Sequence, residues 1–163
     1  MREPRERLVV DLLQDGWDPS NTYGQTPHIS FGWFDDSKDR PQVTVRQADE
    51  GPEYPGTDPF DAVVPDGSGD LHQTITGQVV AHCWAEARKL GSASTSNPRQ
   101  YLAAASEEIN RIIGTNQITP TNPSTGNQPV ESLAAGAGNP VPEPDHSARF
   151  HYRKPIAHRY TDS

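Results

Sequence analysis

The side chains most able to do chemistry here are six histidines, one cysteine and a surplus of acids, and their spacing limits what they can do together. Cys83 directly follows His82, the residue types of a thiol nucleophile and its base. Both fall in Thr74-Ile75-Thr76-Gly77-Gln78-Val79-Val80-Ala81-His82-Cys83-Trp84-Ala85, which reads as a strand. Adjacent strand residues point to opposite faces, so the two cannot share a proton, and Cys83 is expected to be a small buried strand residue. A lone cysteine also excludes an intramolecular disulfide and any multi-thiolate zinc site within one chain. His72 and His82 share strand parity but stand about 33 Å apart in an extended chain, too far to chelate one metal. His151 and His158 flank a strand without a third ligand at fitting spacing, which favours packing or solvation.

Asp35, Ser37 and Asp39 have the alternate-residue spacing of a calcium loop, but the turn glycine is missing and Arg46 stands where the bidentate Glu belongs. Asp66-Gly67-Ser68-Gly69-Asp70 reads as a turn before a strand and lacks the Lys of a phosphate loop. No Gly-x-Ser-x-Gly or His-Glu-x-x-His occurs, so the matching hydrolase and metalloprotease templates fail. The sequence therefore assigns no catalytic, cofactor-binding or metal-ligating residue, and a non-enzymatic protein is expected.

The one local positive cluster is the tail, where Arg149, His151, Tyr152, Arg153, Lys154, Arg159 and Tyr160 alternate basic and aromatic character. Such a strip can meet nucleic acid through phosphates and stacking. The formal charge of -8 argues against that and favours an acidic face on a neighbouring copy, so these residues form the candidate interface. Only Lys38, Lys89 and Lys154 are lysines, beside abundant Asp, a balance that fits a protein kept hydrated at high salt. No apolar run approaches the roughly 18 residues of a membrane span, and Arg2, Glu3, Arg5, Glu6 and Arg7 leave no room for a signal-peptide h-region. A soluble protein made inside a cell, without membrane or specific nucleic-acid binding, is expected.

Positioning these groups are several periodic segments. Leu8, Val9, Leu12 and Leu13 predict a helix over about residues 5–15, with Gly16 as its stop and Trp17 over its end. Ile29, Phe31 and Trp33 alternate with small polar positions, as does Gln42-Val43-Thr44-Val45-Arg46, and the pair predicts a β-hairpin. Residues 47–70 read as a long exposed loop, and a strand follows from about Leu71 to Ala85. Asn97-Pro98-Arg99-Gln100 is a helix start, and Tyr101, Leu102, Ala105, Ile109, Ile112 and Ile113 make one apolar face that Gly114 ends. The expected fold is α+β, a small antiparallel or mixed sheet of about four strands with two main helices packed against it. It divides into a core of residues 1–114, a Pro/Gly/Asn/Ser-rich arm of 115–148 that is disordered or lies on a partner, and a terminal strand and tail of 149–163.

This order of elements resembles the tail terminator, or tail completion, proteins of long-tailed viruses. The carriers are Leu8 to Leu13 as first helix, Pro41 to Val45 as a hairpin strand, Gly77 to Ala85 as the central strand and Tyr101 to Ile113 as second helix. The likeness spans about residues 5–114 as a pattern of elements, and head-tail connector proteins look alike. It implies a structural virion protein at the neck, a homohexameric ring that ends the tail tube and meets the tail tube protein on one side and the head-tail connector protein on the other. It implies no cofactor. With the acidic composition, a virus of a halophilic archaeon is the implied setting. The alternatives are a stopper or head completion protein, or a small nucleic-acid-binding accessory.

Overall fold

The stripe Leu8, Val9, Leu12 and Leu13 forms one face of α1, Arg5–Gly16 in the computed structural model, and all four side chains are buried. The structure describes residues 3–52, 63–65, 71–90, 97–143 and 148–162. Trp17 follows α1, returning its N–H to the Leu13 carbonyl and donating its indole N–H to Thr22 Oγ1 at 3.1 Å. The second helix, α2 (Pro98–Gly114), begins as its sequence requires: Asn97 Oδ1 accepts from the N–H groups of Arg99 and Gln100, and proline fills the first turn. Its apolar face is buried throughout. Where the helices approach, a Cβ on Gly16 would stand 3.3 Å from the Ile112 side chain, so a residue without one lets α1 end against α2.

The strands are β1 (His28–Phe31), β2 (Gln42–Pro52), β3 (Val63–Pro65), β4 (Leu71–Glu86), β5 (Ser132–Ala135), β6 (Asn139–Val141) and β7 (Arg149–Asp162). They form one mixed sheet ordered β1-β2-β4-β7-β5, with β3 also on β4 and β6 also on β7. The α+β class is as expected, but the sheet has seven strands where about four were anticipated. Val43, Val45, Val79, Ala81, Cys83, Ala85 and Ile156 share one buried cluster with Leu8, Leu102 and Ile109. Both helices therefore cover the same face, and the opposite face is left to loops.

Three expectations need correction. β1 and β2 are not a hairpin: they pair in parallel, with His28 opposite Gln42 and Phe31 opposite Val45. Gly32, at φ 95, turns the chain away from the strand, and residues 33–41 cross over before β2 starts beside the beginning of β1. The Gln42 side chain holds that crossing at both ends of its amide, donating to the Asp35 carbonyl at 2.7 Å and accepting the Asp35 N–H at 2.9 Å. Alternation reveals a strand's faces but not its direction beside a neighbour. The second correction concerns residues 47–70, since β2 runs on to Pro52 against β4 past a register shift between Gln47 and Asp49, and β3 pairs there too. The turn at residues 66–70 lies outside the described residues.

The third concerns the C-terminal third. Residues 115–141 fold back on their own chain: Ile118 bridges to Ser132, β5 pairs with residues 156–159 of β7, and β6 pairs with 151–153. β7 runs against β4 from Gln73–Asp162 to Glu86–Arg149, in the middle of the sheet, so the terminal strand joins the sheet of its own chain. The proline-rich stretch has no apolar period because it is held by few anchors, Val130, Leu133 and the fully buried Asn122. The Asn122 amide donates to Asp11 at 2.9 Å and Glu3 at 3.0 Å, while its Oδ1 accepts the Ser124 N–H at 2.8 Å. Asn122→Ala is expected to cost about 2 kcal/mol by stripping these charge-assisted bonds to Glu3 and Asp11. Urea denaturation measures it, and a change below about 0.5 kcal/mol would show that the anchor carries little of the arm's attachment.

Candidate functional site

Because β4 and β7 pair with Trp84 opposite His151 and His82 opposite Arg153, they present His82, Trp84, His151 and Arg153 on the face that the helices leave uncovered. Gln42, Thr44 and Arg46 extend this face onto β2. The crossing loop lays Trp33 and Phe34 over it. Trp84 is the centre: its indole N–H donates to Thr44 Oγ1 at 3.0 Å, and its ring stacks on His151 at 3.7 Å and 12°. Trp33 packs edge-on against His82 at 4.7 Å and Trp84 at 4.8 Å while remaining 50% exposed. Arg46 stacks its guanidinium 5.2 Å over the outer face of Trp33.

Within this aromatic shelter His82 Nδ1 and His151 Nε2 lie 2.7 Å apart, a hydrogen bond in which one neutral ring donates and the other accepts. Burial pushes the His82 pKa down to about 4, reinforced by the cations Arg153 and Arg46. Burial, then the neighbouring His82, pushes His151 down to about 4 as well. Glu143 Oε1 stands 3.3 Å from His151 Nδ1, near enough to favour a charged ring but out of line for a hydrogen bond, so this buried nitrogen lacks a hydrogen-bond partner. The arrangement holds two neutral imidazoles around one shared proton. Among the described residues no group of three His, Cys, Asp or Glu side chains is placed to hold a metal ion.

Below the histidines, Glu86 gathers cations at the end of β4. Arg88 meets it at 2.9 Å, Arg149 at 3.3 Å and Lys89 at 3.8 Å, and Lys89 also donates to the Asp36 carbonyl at 3.1 Å. Arg149 lies 3.8 Å above the Phe34 ring. These contacts pin the crossing loop to the sheet, and they satisfy both buried ions, Glu86 and Lys89.

Cys83 and His82 point to opposite faces, as expected. The thiol is buried among core residues and its pKa is raised by burial to about 12, which removes it as a nucleophile. Asp35 accepts both the N–H and hydroxyl of Ser37, at 3.0 and 2.7 Å, an Asx-type turn. The side chain of His72 is outside those described.

The seven residues of the basic-aromatic tail do not share a surface. Tyr152, Lys154 and Tyr160 face the helices; Arg149, His151, Arg153 and Arg159 face the other way. Lys154, His151 and Tyr160 are buried, and Arg149 is engaged with Glu86, leaving Arg153 and Arg159 as the exposed cations of the set. Sequence reasoning weighed only His72 with His82 and His151 with His158, and rejected both as metal pairs. The pair that meets, His82 with His151, is joined by strand register, and no local signal announces it.

A second surface lies at the β1 edge. Phe31 is 53% exposed and lines, with Arg46, Gln47, Pro4, Arg7 and Asp11, a groove of about 610 Å³ between α1 and the start of the crossing loop. No helix among the described residues is long and apolar enough to cross a membrane. Compared with known proteins, the sequence matches no family model and no curated protein, so residues and geometry alone carry the functional reading.

Proposed function

We propose that the protein is a structural subunit of a long-tailed virus, a tail terminator that assembles as a homohexameric ring between the tail tube protein and the head-tail connector protein. The observation that carries this reading is the order helix, strands, helix, strands, with both helices on one face of the sheet. A short edge strand, β1, ends in exposed aromatic residues beside an open groove, which suits burial against the next copy. The acidic surplus suits a subunit that works at high salt, and the dispersal of the basic tail residues over two faces gives no support to a nucleic-acid accessory. A stopper protein would share these features and differs by its position in the particle.

The test is the mass of the purified protein by native mass spectrometry and light scattering, at molar KCl and in the presence of tail tube ends. A six-fold species that Phe31→Asp reduces to monomer, with an unchanged melting temperature, is the expected result. A protein that stays monomeric under both conditions, or a ring indifferent to Phe31→Asp, counts against this interface.

A further inference from the structure

Lys154 sits at the centre of β7 opposite Ala81, facing α2, and is 1% exposed. It is one of three lysines in the chain. No hydrogen bond or ion pair within 4 Å joins its ammonium to a described residue, although the Glu107 carboxylate acts on it through space. A buried lysine without a hydrogen-bond partner is costly, and an apolar side chain of similar length would fill the same space more cheaply. Lys154 is not sealed in, however. It lines a cavity of about 380 Å³ with Ser106, Glu107 and Asn110 of α2, Tyr152 of β7 and Gly138. Gly138 closes one wall so tightly that a Cβ there would stand 2.7 Å from Ser106 Oγ and 3.7 Å from Lys154 Cδ.

We infer that this cavity is a carboxylate-binding site, with the Lys154 ammonium as its anchor and the Ser106 hydroxyl and Asn110 amide as further donors. One ammonium matches one negative charge, and the hydroxyl and amide offer the neutral donors that a carboxylate's remaining lone pairs take up. Glu107 belongs to the exposed rim; it attracts the Lys154 ammonium and so competes with an arriving carboxylate, while water screens its repulsion of that carboxylate. Burial lowers the Lys154 pKa while the nearby Glu107 raises it, and an arriving carboxylate favours the charged form further. The carboxylate comes either from a free small acid or from an Asp or Glu side chain of a second copy, since the chain carries 22 acidic residues against 14 basic ones. The site stands independently of the ring reading.

Sodium succinate at matched ionic strength is the probe for the free acid, read by calorimetry and thermal melting, and self-association of the full chain at molar KCl reads the second source. Succinate that stabilises the wild-type protein, with binding about tenfold or more weaker in Lys154→Met, assigns the site to a free acid. Absence of succinate binding together with self-association that Lys154→Met abolishes assigns it to a second copy. In either case Lys154→Met itself raises the melting temperature, and Glu107→Gln strengthens the affected binding by about two- to threefold. The inference is overturned if neither process depends on Lys154, or if Glu107→Gln weakens the binding. If Lys154→Met does not fold, Ser106→Ala and the Lys154 side-chain NMR signal of the wild-type protein decide. An unmoved signal under succinate, with self-association unaffected by Ser106→Ala, also overturns it.

Discussion

A chain ending at Gly114 is expected to be unfolded, even though it retains both helices and most of the residues with a strong periodic signal. β7 lies between β4 and the β5 and β6 edge, so removing it opens the longest strand of the sheet along its full length. It also removes Ile156 and Tyr160 from the core cluster, and Val130 and Leu133 leave with the preceding segment. The loss equals or exceeds the whole net stability of an ordinary domain, about 5–15 kcal/mol. Circular dichroism with urea titration should show no cooperative transition for this truncation. A shorter deletion, of residues 149–163 alone, should behave the same way. A sharp transition in either chain would mean that α1, β1, β2, β4 and α2 form an independent unit and that the C-terminal third is only applied to it.

The second large effect is acid sensitivity centred on the histidine pair. Both rings are held neutral in the fold, with pKa values pushed down to about 4 from an ordinary 6.5. The unfolded chain therefore binds protons that the folded chain refuses. The stabilisation is fully present above pH 6.5 and is lost as pH falls from there toward 4. Two independent shifts of this size would be worth about 7 kcal/mol, but the rings share one proton and His82 is partly open to solvent, so roughly 3 kcal/mol is expected for the pair. Arg46 and Arg153 oppose protonation, and Glu143 favours it. Urea midpoints between pH 7.5 and 4.5 measure the effect in the wild-type protein and in His82→Gln/His151→Gln. The double variant should lose most of the pH slope. Equal slopes would assign acid sensitivity to the carboxylates instead. Protonation would place a cation beside Trp33, which closes the outer face, so the same titration followed by tryptophan fluorescence reports whether that lid opens with the charge.

These expectations rest on different levels of information. Asn97-Pro98 and the Tyr101-to-Ile113 face specify a helix because cap, propensity and period all act within a few residues, and α2 was legible to its ends. The strand around Val79 to Ala85 was legible for the same reason, as was the separation of Cys83 from His82, since both follow from strand alternation. The segment around Asn122 was not, because one buried amide and two apolar anchors leave no periodic trace among the six prolines and three glycines of residues 115–148.

The sequence by itself determined the α+β class, both helices, the apolar centre of β4 and the inertness of Cys83, all properties of residues near one another along the chain. Only the tertiary structure decided the parallel pairing of β1 with β2, the central place of β7, the meeting of His82 with His151 and the placing of Lys154 at its cavity. Each of these depends on which strand lies beside which and in what register. That choice is made by the packing of the whole sheet against α1 and α2, a sum over distant residues to which no single segment holds the answer.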